Sequence, residues 1–148
     1  MVPALTLKNR VKMPMLGLGT WQLNGSTCTG AVSAALRLGY PHFDTAEMYQ
    51  NEADIREALH GAKREHLFLT SKVFLNHLHH DDVIASCIAS LNRLATPYLD
   101  LYLVHWPNRN VEMAETFRAL ARLHDDGKVR AVGVSNFTVR HLAEAMKA

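Results

Sequence analysis

The chain has 148 residues, 48% of them hydrophobic and 20% charged, with a formal net charge of +2, a balance that builds one globular core and excludes a disordered or fibrous chain. Its 16 Lys and Arg are interleaved with 14 Asp and Glu rather than gathered in a block, so the pattern offers no basic stripe for nucleic acid. The opening MVPALTLKNRVKMP has no apolar leader core, and no stretch approaches the roughly 18 apolar residues of a membrane span, so no membrane partner is expected and the expected location is cytoplasmic.

In chain order, LTLKNRVKMP (5–14) reads as a β-hairpin with Asn9 and Arg10 as its two turn residues. Arg10 suits that turn poorly, because the usual two-residue hairpin wants positive φ at both central positions. LGLGT (16–20) reads as a strand, and 26–39 as a helix with a Ser or Thr cap at its start and Gly39 at its stop. YPHFDT (40–45) is the next strand and 51–62 the next helix, where Asn51 and Glu52 open the first turn and the acid suits the helix dipole. The strand 66–74 leads to a helix over 81–95, with Asp81 or Asp82 as its expected cap. A strand over 98–106, a helix over 114–128, a strand over 129–137 and a helix over 138–148 complete the series. Cys28 and Cys87 fall inside helical segments without metal or redox spacing, which makes them reduced packing residues.

These are five βα units after a hairpin. Their start-to-start spacing of about 25 to 33 residues is what a parallel strand, a crossover helix and the next strand require. The strands read as near-continuous apolar runs, as expected of a parallel sheet covered on both faces. No linker or composition shift divides the chain, so 1–148 is read as a single domain.

The second apolar run ends in Asp44, the third in Lys72, the fourth in His105 and the fifth in Ser135 and Asn136. In a parallel α/β fold these carboxyl ends share one side, where ligands and catalytic groups gather. Taken singly, Asp44 could be a cap or turn former, His105 a satisfied near-core histidine and Tyr49 a packing aromatic. Lys72, set in an apolar run, must either reach solvent or pair with a carboxylate. Four consecutive strands delivering such residues to one rim point to a site. The cluster HLHHDD (77–82) has metal-ligand residue types, but its spacing matches no closed site, and no metal is expected.

The stretches LGLGTW (16–21), DTAEMYQNE (44–52), TSKV (70–73), LVHWP (103–107) and GVSNF (133–137) together resemble the aldo-keto reductase family, of the bacterial or archaeal 2,5-diketogluconate reductase type. The resemblance spans nearly the whole chain. It implies a (β/α)8 barrel that reduces aldehydes or ketones with NADPH and uses neither metal nor flavin. Asp44, Tyr49, Lys72 and His105 correspond to the family's catalytic tetrad, with Tyr49 as proton donor. Ser135 and Asn136 correspond to the pair that binds the nicotinamide carboxamide. Gly19, Thr20 and Asp44 would adjoin the cofactor, and Trp21, Tyr49, His105 and Trp106 the substrate, although Trp21 could equally be ordinary apolar wall.

The chemistry explains these residue types. Hydride transfer to a carbonyl carbon builds negative charge on oxygen, which needs hydrogen bonds and then a proton. A tyrosine ordinarily holds its proton to a pH near 10, and a neighbouring ammonium such as Lys72 stabilises the phenolate left behind. Asp44 at the adjacent strand end holds that lysine, and His105 donates an N–H to the same oxygen.

A barrel of this kind takes about 250 residues and eight βα units. The expectation is therefore a truncated barrel, with the strand stacking on nicotinamide, the pyrophosphate loops and the 2′-phosphate reader outside these residues. Its first and fifth strands would be open apolar edges, which invite another chain. The full-length family is often monomeric. The alternative to a reductase is thus a non-catalytic partial barrel that self-associates through those edges.

Overall fold

The computed structural model describes residues 2–148. Strand β1 (Ala4–Thr6) pairs antiparallel with β2 (Lys12–Pro14), Leu5 facing Met13. The turn between them differs from the expected one. Leu7 N–H donates to Val11 O and Arg10 N–H to Leu7 O, so the loop has three residues, and Arg10 alone takes a positive φ, of 67°. A longer loop needs only one left-handed residue, which removes the demand that made Arg10 look unsuitable.

Five strands then form one parallel sheet: β3 (Gly17–Gly19), β4 (His42–Asp44), β5 (Phe68–Val73), β6 (Leu101–Val104) and β7 (Val132–Val134). Their order in the sheet is their order in the chain. Each crossover thus returns one strand further on in the same direction, which is how a barrel is wound; a doubly wound sheet reverses. The helices α1 (Gly25–Arg37), α2 (Glu52–Ala58), α3 (His80–Leu94), α4 (Met113–Asp125) and α5 (Val139–Ala145) follow their strands one to one.

Alternation along the strands sorts the residues. Phe43, Leu69, Val73, Tyr102 and Val104 are buried in the core with Val32, Ile55, Val83, Leu91, Leu120 and Leu123 from the helices. Each large apolar side chain so buried contributes on the order of 2 kcal/mol. The intervening residues, among them Asp44, Thr70 and Lys72, take the opposite face. The central strand β5 is buried along all six residues. Cys28 and Cys87 are free and fully buried, and burial pushes their thiols up to about 11 and about 12. None of the described helices is long and apolar enough to cross a membrane.

Helix ends depart from the expected caps. Helix α1 begins at Gly25, so Ser26 lies inside it, and the Gly25 N–H donates to the carboxylate of Asp54 on α2 at 2.7 Å. Gly39, at φ 86°, follows its end as expected. Asp81 and Asp82 sit in the first turn of α3 without capping it; His80 N–H donates instead to Glu115 of α4 at 2.9 Å. In both places a carboxylate of the following helix outreaches the local candidates. Among the described helices α5 alone has the local arrangement, with Thr138 accepting from His141 N–H.

At the amino end of β6, Asp100 is fully buried and accepts from Leu69 N–H, Arg64 and Arg130. Asp100→Ala leaves the Arg64 guanidinium without its ion pair and is expected to lower unfolding free energy by about 3–5 kcal/mol. Arg130→Ala, whose side chain is half exposed, should cost about 1 kcal/mol or less. Urea unfolding of both variants checks the ordering, and equal midpoints would contradict it.

Candidate active site

The parallel register brings the polar strand ends to one rim. Gly19 pairs with Asp44 and Asp44 with Thr70, while Lys72 pairs with Leu103. Asp44 therefore closes β4 beside Lys72 near the end of β5, and His105 follows β6 directly. Tyr49 ends a 3-10 turn, Glu47–Tyr49, which Gln50 terminates in the left-handed region at φ 57°. The Glu47 carboxylate accepts from Phe74 N–H, which ties this turn to the loop after β5.

Lys72 is the centre of the cluster and is 6% exposed. An ammonium so enclosed needs an acceptor for each N–H and a counter-charge. Its Nζ lies 2.5 Å from Asp44 Oδ1, 2.9 Å from Thr45 O and 3.4 Å from the Tyr49 hydroxyl. His105 Nε2 is 3.5 Å from the same hydroxyl. Trp21 packs on the Tyr49 ring at 4.9 Å between centroids, and Trp106 stacks on His105 at 3.6 Å. Together with Met48, Ser135 and Asn136 these groups line an open cavity of about 420 Å³.

Desolvation, reinforced by the Lys72 charge, lowers the His105 pKa to about 4. The ring is therefore neutral at pH 7. Its Nδ1 is buried without a partner. A bare ring acceptor is better tolerated there than a stranded N–H, which favours the tautomer carrying its proton on Nε2, toward Tyr49.

Gly19 ends β3 and Thr20 follows it, beside Asp44. Thr20 is fully buried, and its N–H and hydroxyl both donate to Asp44 O at 3.0 Å. These bonds fasten the end of β4 to the loop after β3. Gly19 closes β3 with open space where a side chain would stand. Glu52 opens α2 after Asn51, as expected, and it is also buried, accepting from Ser71 at 2.7 Å and Arg93 at 2.6 Å. Sequence reading missed Thr45, Met48 and the Glu47 tie. Only the position of Glu47 and Met48 within the polar stretch before Tyr49 could have pointed to them.

The HLHHDD side chains pair outward, His77 with Glu47, His79 with Glu115 and His80 with Asp81. Among the described residues no group of three or more His, Cys, Asp or Glu is placed to hold a metal ion. At the end of β7, Asn136 Nδ2 donates to His105 O and to Ser135 Oγ. That commits the amide nitrogen to the protein and leaves the Asn136 carbonyl as acceptor and the Ser135 hydroxyl proton as donor. A carboxamide needs one of each, so the pair fits a nicotinamide.

Sequentially ordered parallel βα units with ionisable groups along the carboxyl rim are the plan of a (β/α) barrel enzyme. The family model for the aldo/keto reductase family matches residues 15–148. The glyoxal reductase of Bacillus subtilis is 45% identical over 144 residues, which cover 95% of this chain and 52% of that protein. A solved structure provisionally described as 2,5-diketo-D-gluconic acid reductase B superposes with a TM-score of 0.93 at 41% identity, covering 99% of this chain and 53% of that one. The Bombyx mori aldo-keto reductase in complex with NADP superposes with a TM-score of 0.91 at 28% identity, covering 99% and 54%. The chain belongs to the aldo/keto reductase family, and it spans about half the length of the curated relatives it matches.

The low basicity of His105 has a measurable sign. Its folded pKa lies below the unfolded 6.5, so the unfolded chain binds the extra proton between those values. Stability from this group is complete above about pH 6.5 and is lost as pH falls toward about 4. The His105 ring signal in an NMR titration is expected to turn over near pH 4, and a midpoint at 6 to 7 would refute the assignment.

Proposed function

We propose that this chain carries the catalytic rim of a carbonyl reductase that converts small aldehydes and ketones to alcohols with NADPH, Tyr49 being the proton donor. The observation that carries the reading is the Lys72 ammonium, which commits one N–H to Asp44 and one to Thr45 and turns the third to the Tyr49 hydroxyl. The reducing setting of the cytoplasm suits the two buried free thiols.

Reduction places negative charge on the carbonyl oxygen. The Tyr49 O–H and the His105 Nε2–H stand 3.5 Å apart and can meet one oxygen between them, in a cavity walled by Trp21 and Trp106. Tyr49 then gives its proton to that oxygen, and the phenolate left behind faces the Lys72 ammonium. His105 stays neutral throughout, so it orients the substrate and does not compete as an acid. Ser135 and Asn136 would hold the carboxamide of the cofactor. A reduced nicotinamide, when bound, supplies the hydride. Glyoxal and methylglyoxal are suitable first substrates, given the likeness to a glyoxal reductase.

A second reading rests on the sheet edges. Among the described residues strand β7 pairs on one side only, Val132 on it is 42% exposed, and α5 exposes Val139 and Met146 beyond it. On this reading the chain is a non-catalytic partial barrel that self-associates through such edges.

Titrating NADPH into the purified chain while measuring its molar mass separates the two. Saturable binding with turnover of a small aldehyde supports the reductase; no binding, with a mass above the monomer, supports the second reading. Tyr49→Phe is expected to lower kcat by about 10²- to 10⁴-fold with NADPH affinity nearly unchanged. Lys72→Met should fall in the same direction. Retained turnover in Tyr49→Phe would remove the tyrosine from its role.

A further inference from the structure

Asn51 stands outside the cluster of reacting groups, yet its side-chain hydrogen bonds lead toward it. The residue is 0% exposed. It occupies the N-cap position of α2 but makes no side-chain cap bond, the usual employment of an asparagine there. Its amide instead ties its own β4–α2 loop to the β3–α1 loop. Oδ1 accepts from the Thr45 hydroxyl at 2.7 Å, and Nδ2 donates to Thr20 O and Leu23 O, both at 2.8 Å.

The Thr45 branch reaches the lysine. The same residue accepts from Lys72 Nζ through its carbonyl, and its own N–H donates to Thr70 O at 2.9 Å. With the backbone pinned by Thr70 and the side chain by Asn51, the carbonyl has one place to stand. The Thr20–Leu23 branch reaches the cavity wall. Leu23 N–H donates to Thr20 O, Gln22 between them takes a φ of 62°, and the turn presents Trp21 against Tyr49.

We propose that Asn51 is a positioning residue for the reduction, setting the direction of the Lys72 ammonium through Thr45 and the stance of Trp21 through Thr20 and Leu23. The inference rests on the reading of Tyr49 as proton donor with Lys72 as its partner. Asn51 touches no reacting atom, so its loss should act on kcat through geometry and leave cofactor affinity alone.

Thr45→Val and Thr45→Ser, made in the full chain, separate hydrogen bonding from packing. Valine keeps the volume and loses the hydroxyl; serine does the reverse. The expected result is a kcat about 10- to 100-fold lower for valine with KM within about twofold, and near-normal turnover for serine. A purely packing role predicts the opposite order, and that order would overturn the proposal. Asn51→Ala is read by NMR without turnover. The chain has two tryptophans, so the Trp21 indole N–H signal can be assigned, and it should shift or broaden. An unmoved signal in a folded variant would overturn the seating of Trp21. Should Asn51→Ala not fold, the Thr45 pair decides. Absence of turnover in the parent chain would sink the reductase reading, while the indole signal still tests Asn51 by itself.

Discussion

A single buried ammonium sets the terms for the rest of this molecule. Lys72 can be enclosed only if three acceptors meet its three N–H groups and one of them carries charge. Those acceptors come from the last residue of β4, the loop that follows and the 3-10 turn beyond. They converge only when β4 and β5 run parallel in the observed register, so the requirement for a solvated charge and the topology of the sheet are one constraint. A register slip of one residue would turn Lys72 into the layer of helices, away from Asp44, Thr45 and Tyr49, where the carboxylate within reach, Glu52, is already taken by Ser71 and Arg93.

The same charge divides labour along the rim. Next to an ammonium, a second positive group is penalised, and His105 is correspondingly held neutral by burial and by Lys72. One neighbour of Tyr49 is thus a fixed cation and the other an uncharged donor. The fully buried carboxylates sit differently. Asp100 and Glu52 are almost wholly enclosed and answered by arginines, whereas the Asp44 side chain keeps a third of its surface open beside the cavity. Enclosed pairs hold elements together, and the open one belongs to the site.

How much of this could be read from the sequence depended on the range of the signal. Strand and helix order was legible because apolar runs alternate with helical periods, and each is a local property. Asp44, Lys72 and His105 stood out because a polar residue closes each apolar run, and the structure does gather them around Tyr49. Thr20 was named by the resemblance alone, and the turn of its hydroxyl to the Asp44 carbonyl is a choice that no local pattern announces. The caps of α1 and α3 and the partners of Glu52 were equally hidden, because each comes from another element. The hairpin turn was misread by one residue: the sequence shows an awkward Arg10, but not the loop length that relieves it.

The borrowed caps couple neighbouring units in time as well as in space. The first N–H of α1 is answered by Asp54 of the next helix, and that of His80 by Glu115 of the helix after. A chain emerging from the ribosome makes α1 before its acceptor exists, and α3 before Glu115. Each helix start is left to water until the following unit docks, so the units ripen in overlapping pairs. The amino end of each such helix then reports whether its successor has arrived.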